Sequence, residues 1–132
     1  MEAEVKARIG CTVKQAWGMS ELSPIGTVVP EDKLRPGSIG QLVPNTLAKI
    51  VSTEGDGTTP LAMGEIGELC IKGPQVMQGY LDEPDKTAEC LSDDGWLRTG
   101  DICAIDEDGF IFVKDRLKEL IKYKGYQVGI EC

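Results

Sequence analysis

Three short stretches gather side chains that could do chemistry: Gln15-Ala16-Trp17-Gly18-Met19-Ser20-Glu21, Gly95-Trp96-Leu97-Arg98-Thr99-Gly100-Asp101 and Asp115-Arg116-Leu117-Lys118-Glu119-Leu120-Ile121-Lys122. In the first, Gly18 lacks a Cβ and would let the backbone approach a ligand closely. Trp17 offers a flat face on which a purine could stack. Ser20 supplies a hydroxyl donor and Glu21 a hard oxygen ligand suited to Mg²⁺. A strand end carrying one core tryptophan accounts for the same residues. In the second stretch, Asp101 follows Gly100 at the edge of an expected strand. Its two carboxylate oxygens suit two neighbouring hydroxyls, as on a ribose, and such bonds contribute about 1.5–3 kcal/mol each. An aspartate that only satisfies turn amides fits equally, and Trp96 reads as a packing residue. In the third, Arg116 is a permanent cation for a sugar hydroxyl or a phosphate. Lys118 and Lys122 share a face if the segment is helical, yet Leu120 to Val128 fits a strand, turn and strand around Gly125 equally well. A solvated charged face is the plain alternative. No single stretch identifies a reaction.

Composition narrows the field. The chain has 132 residues, enough for one modest domain, with 41% hydrophobic and 27% charged residues. Its formal charge of −8 argues against nucleic-acid partners. There is no histidine, so the usual general base and the commonest metal ligand are missing. Chemistry must fall to carboxylates, lysines, backbone amides or a bound cation. Cys11, Cys70, Cys90, Cys103 and Cys132 form no C-x-x-C pair and are odd in number, and no secretory leader is expected ahead of them. They read as reduced thiols of an intracellular protein. No apolar run reaches the ~20 residues of a membrane-spanning helix.

The elements that must position these residues are short. Met1 to Lys14 reads as the end of a helix, and Val13 to Glu21 as a strand entering a glycine turn. Pro24, Pro30 and Pro36 punctuate an irregular stretch. Strands are expected at Ile39 to Val43, Leu47 to Val51 and Glu68 to Lys72. Pro84 with Asp85 opens a short helix to Cys90, since proline and an acid both suit a helix N-terminus. Trp96 to Asp101 leads into a strand. Cys103 to Ile105 and Phe110 to Val113 then form a hairpin around Asp106 to Gly109. The shift from acidic to lysine-rich composition beyond Arg116 places a domain junction near 115–119.

Order and wording together say more. Trp-Gly-Met-Ser-Glu, Gly-Glu-Leu-Cys-Ile-Lys-Gly-Pro with Gly79-Tyr80, Gly-Trp-Leu-Arg-Thr-Gly-Asp, and Val-Lys-Asp-Arg-Leu-Lys-Glu-Leu-Ile-Lys-Tyr-Lys-Gly-Tyr-Gln-Val follow one another from about Val13 to Val128. They closely resemble the adenylate-forming superfamily of acyl-CoA synthetases, firefly luciferase and peptide-synthetase adenylation domains. Lys122-Tyr123-Lys124-Gly125-Tyr126-Gln127 is most similar to the 4-coumarate–CoA ligase and luciferase-like branch.

The resemblance implies an ATP-dependent ligase that activates a carboxylic acid, aryl or fatty, as acyl-AMP and passes it to CoA. ATP or AMP, Mg²⁺ and CoA are the implied ligands. It puts Trp17 beside the adenine and Gly18 and Met19 where nucleotide and acyl pocket join. Ser20 stands at a phosphate-contacting position usually held by Thr. Glu21 matches the Mg²⁺-associated glutamate, and Asp101 and Arg116 match the ribose-binding pair. Lys118 falls at the hinge, while Lys122 and Gln127 face the active site in the CoA-facing conformation.

The implied fold is α+β and β-rich. Residues 1–115 form the end of the large AMP-binding domain, a distorted antiparallel β-barrel with part of a preceding sheet. Residues 116–119 are the hinge, and 120–132 begin the small C-terminal domain. The family's Ser/Thr/Gly-rich phosphate loop and its adenylation lysine have no counterpart here. Gly129-Ile130-Glu131-Cys132 also departs from the family's Ala-Pro-Ala-Glu-Leu-Glu. A partial chain, with negligible ligase activity of its own, is therefore expected. A non-catalytic β-rich nucleotide-binding or interaction module and a luciferase-like oxygenase segment are the alternatives. A cytoplasmic or peroxisomal location fits, and the acid and the oligomeric state are not legible.

Overall fold

Short apolar runs between glycines and prolines build a β-rich α+β architecture. The computed structural model describes residues 2–55, 57–117, 120–123 and 126–129, the last two stretches by their backbone alone. Helix α1 covers Glu2–Ile9. Strands β1 (Ala16–Gly18), β2 (Ile25–Val28) and β3 (Gln41–Leu42) form an antiparallel sheet in that order. A second antiparallel sheet holds β4 (Leu47–Val51), β5 (Gly67–Lys72), β6 (Leu97–Ile105) and β7 (Ile111–Arg116). Helix α2 (Pro84–Cys90) lies between β5 and β6 in sequence, and β8 (Leu120–Tyr123) pairs with β9 (Tyr126–Gly129).

The antiparallel, β-rich character agrees with the sequence, but no barrel closes among the described residues. The two sheets stay open. They are joined where Gly40 bridges Ile111, with Ile39 N–H donating to the Ile111 carbonyl at 2.9 Å. The strand expected over Val13 to Glu21 is cut to Ala16–Gly18, followed by a 3₁₀ turn at Ser20–Leu22. The pairing of β1 with β2 shifts between Trp17 and Gly18, and the chain folds back there. β2 lies in the stretch expected to be irregular, because the prolines at 24 and 30 hide a four-residue strand. Its Thr27 is fully buried and donates its hydroxyl to the Ile39 carbonyl at 2.6 Å. The segments 96–101 and 103–105, expected apart, are one bulged strand, β6. Beyond 119 the chain takes the strand alternative, so Lys122 lies in β8 rather than on a helical face shared with Lys118.

Period-two alternation sets which residues of the second sheet share a face, although β5 is buried on both. Leu69 and Ile71 of β5, Leu97 and Cys103 of β6, Ile111 of β7 and Ile50 of β4 face one core, which Leu22 of the 3₁₀ turn completes. Trp17, Met19, Ile39 and Leu42 of the first sheet region pack against it. Each fully buried aliphatic side chain stabilises the fold by roughly 1.5–3 kcal/mol. The opposite face carries Lys49 over the Trp96 ring at 4.4 Å, which makes Trp96 a packing residue as expected.

Candidate functional site

The sheet register brings the second and third stretches together. Asp101 in β6 is the direct partner of Arg116 in β7. Arg116 Nε lies 3.0 Å from Asp101 Oδ1. From the first sheet, Trp17 Nε1 donates to Asp101 Oδ2 at 2.9 Å. Three residues from three stretches thus meet on one carboxylate. Asp101 is 5% exposed, and a buried carboxylate needs its charge met and its lone pairs used. A carboxylate has about four acceptor positions. Among the described residues, Trp17 donates to Oδ2 and Arg116 lies within ion-pair distance of Oδ1, so both oxygens of one carboxylate are engaged from separate stretches.

Glu21 leads off the other end of the Trp17 segment. Its Oε1 accepts the Tyr80 hydroxyl at 2.7 Å, and its carbonyl accepts the Met77 N–H at 2.8 Å. The hydrogen bond to Glu21, reinforced by partial burial, raises the Tyr80 pKa well above the usual phenol range. Tyr80 is itself anchored, because its N–H donates to the Thr87 hydroxyl on α2 at 2.9 Å. The sequence singled out Gly79-Tyr80 only as part of a motif, and the role of Tyr80 needed the 59-residue contact to be seen.

At Gly18 the close approach is made by the chain itself rather than by a ligand. A Cβ there would sit 1.9 Å from the Pro24 carbonyl oxygen, so the space serves the chain's own return. Trp17 rests one ring edge on Gly26, where a Cβ would come within 2.7 Å of the indole. The tryptophan is therefore a packing residue and a hydrogen-bond donor at once. Met19 packs partly buried against the core, and Ser20 is exposed on the 3₁₀ turn. Lys118 lies outside the described residues. For Lys122 and Gln127 only the backbone is described, and it pairs them directly across β8 and β9.

Two further residues went unassigned in the sequence. Glu68 of β5 accepts Arg98 Nε at 2.9 Å and the Gly100 N–H at 3.1 Å, next to Asp101. The hydrogen bond to Glu68 raises the Arg98 pKa further. For a metal, Glu21 has Oε1 engaged by Tyr80, and no group of three or more acidic or thiol ligands forms among the described residues. That fits a Mg²⁺ ion carried mainly by phosphates and water, with one carboxylate in support.

Sheet order and register place the chain among adenylate-forming folds. The chain belongs to the AMP-binding enzyme family, whose model matches residues 1–81. It is 53% identical over 116 residues to "Probable 4-coumarate--CoA ligase 1" of Dictyostelium discoideum, covering 88% of this chain and 21% of that protein. It is 50% identical to "Peroxisomal OPC-8:0-CoA ligase 1" of Arabidopsis thaliana over 123 residues, covering 89% of this chain and 22% of that one. Among solved structures, ATP-bound MatB from Rhodopseudomonas palustris superposes with a TM-score of 0.80 at 36% identity, over 97% of this chain and 25% of that chain. The chain therefore spans about a fifth to a quarter of the proteins it matches.

Proposed function

We propose that this chain supplies the ribose-side and metal-side contacts of an ATP-dependent acid–CoA ligase of the 4-coumarate–CoA ligase-like branch. The observation that carries this reading is the Asp101 carboxylate, with Trp17 bonded to one oxygen and Arg116 paired with the other. A vicinal diol is the ligand that uses both. Glu21, held by Tyr80, supports Mg²⁺ on the phosphates, and the Ser20 hydroxyl serves the same phosphate region. Met19 and the Gly18 turn border the acyl group, and Trp17 stands next to the adenine.

In the whole ligase, a carboxylate attacks the α-phosphate of ATP, giving acyl-AMP and pyrophosphate. The thiol of CoA then attacks the acyl carbon and expels AMP. The logic is physical, since a carboxylate is a poor electrophile and AMP a good leaving group. The acid is aryl or fatty, and the setting cytoplasmic or peroxisomal. Residues 1–115 belong to the large domain, 116–119 form the hinge with Lys118 at its centre, and 120–132 begin the small domain. Lys122 and Gln127 face the adenylate in the CoA-facing arrangement.

Calorimetric titration of the chain with AMP tests the reading. Saturable binding that is weakened at least about tenfold in Asp101→Ala supports it. Absence of binding, or binding indifferent to Asp101→Ala, overturns it. Purified chain with ATP and an acid should release no pyrophosphate above background.

A further inference from the structure

Glu68 stands in β5, a central strand, and is 2% exposed. A carboxylate so placed is costly unless both its charge and its lone pairs are met. Here the two oxygens are met by different parts of one neighbouring irregularity. Oε2 accepts Arg98 Nε at 2.9 Å and is bonded to Arg98 Nη2 as well, while Oε1 accepts the Gly100 N–H at 3.1 Å. The pairing of β5 with β6 runs from Cys70↔Arg98 to Glu68↔Ile102, so 99–101 stand opposite Leu69 alone. Those extra residues are pinned. The Thr99 hydroxyl donates to the Leu69 carbonyl at 2.8 Å and accepts the Asp101 N–H at 3.2 Å. Gly100 adopts φ +73°, a left-handed conformation that side chains resist. Its carbonyl accepts the Leu117 N–H at 2.9 Å, immediately after Arg116.

Both main-chain groups of Gly100 are thus committed, one to Glu68 and one to the chain leaving β7. The loop between β4 and β5 closes over Arg98, for a Cβ on Gly57 would come within 2.9 Å of the guanidinium. We propose that the Glu68–Arg98 pair is the positioning element of the ribose site: it sets the bulge at 99–101 and so holds the Asp101 carboxylate, and the exit of β7 beyond Arg116, in register. The inference rests on the proposed meeting of Asp101 with a ribose. A carboxylate is required at 68 because both of its oxygens must accept. Glutamine would turn an N–H₂ group towards either Arg98 or the Gly100 N–H.

The test is calorimetric titration of the chain and of Glu68→Gln with AMP and with 2′,3′-dideoxy-AMP. The wild type should prefer AMP. Glu68→Gln should lose about tenfold of that preference while binding the dideoxy compound within about twofold of wild type. A variant that keeps the full preference, or that loses both ligands equally, overturns the positioning role and leaves the ribose reading standing. A wild type that binds both ligands alike removes the ribose reading, and the inference with it. Should Glu68→Gln fail to fold, amide hydrogen exchange in the wild type decides. The Gly100 amide should be protected like those of β5, and exchange at the rate of an exposed loop overturns the proposal.

Discussion

Trp17 and Asp101, 84 residues apart, are joined by a 2.9 Å hydrogen bond from the indole to the carboxylate. The bond links the first sheet to the second at the position where Arg116 also arrives. Trp17→Phe keeps most of the ring packing and removes the donor. It should cost about 1–3 kcal/mol of stability, the penalty for a buried acceptor that loses one partner, and should weaken AMP binding several-fold. Urea denaturation with a parallel AMP titration checks both. Unchanged affinity would separate Trp17 from the ligand.

Tyr80 holds one oxygen of Glu21 while remaining 40% exposed itself. Tyr80→Phe should therefore leave folding nearly intact. The freed Glu21 carboxylate gains rotamers that it must give up to meet a cation. Binding of Mg²⁺-ATP should fall several-fold, with metal-free AMP affinity unchanged. Titrations with and without magnesium distinguish this from a general loss.

Leu22 is fully buried at the centre of the shared core, contributed by a three-residue 3₁₀ turn rather than by a strand. Leu22→Ala should destabilise the chain by about 2–5 kcal/mol, the range for a buried leucine that leaves a cavity. Thermal unfolding reads this directly, and a loss below that range would mean the turn collapses into the gap.

Burial raises the Cys70 thiol to about 11 and the Cys103 thiol to about 12, from an ordinary value of 9.0. Both thiols stay protonated in the folded chain where the unfolded chain would release the proton. The stability they contribute is complete below pH 9 and is lost as pH rises through these raised values. Peptide-resolved maleimide labelling at pH 8 should modify exposed Cys11 and spare Cys70 and Cys103 until the chain unfolds. A melting temperature unchanged between pH 8 and 11 would contradict the linkage.

Much of this was legible from residues alone. Short apolar runs marked β4 and β5, Pro84 with Asp85 marked α2, and Asp106 to Gly109 marked the hairpin, because each signal is local. Ordered motifs pointed to Trp17, Glu21, Asp101 and Arg116 as candidates. What stayed hidden depends on register. Gly18 read as room for a ligand, whereas Pro24 fills it. Glu68 stood only as the first residue of an expected strand, since only the bulge opposite Leu69 brings Arg98 and Gly100 to its two oxygens. β2 escaped because its four residues sit between two prolines.

The chain has two tryptophans, which makes one spectrum decisive. In a ¹⁵N–¹H correlation spectrum titrated with AMP, the Trp17 indole N–H, bonded to Asp101, should shift and saturate. The Trp96 indole, packed under Lys49 on the opposite sheet face, should stay in place. A Trp17 signal that does not move, or a Trp96 signal that moves in its stead, would contradict a ribose held at Asp101.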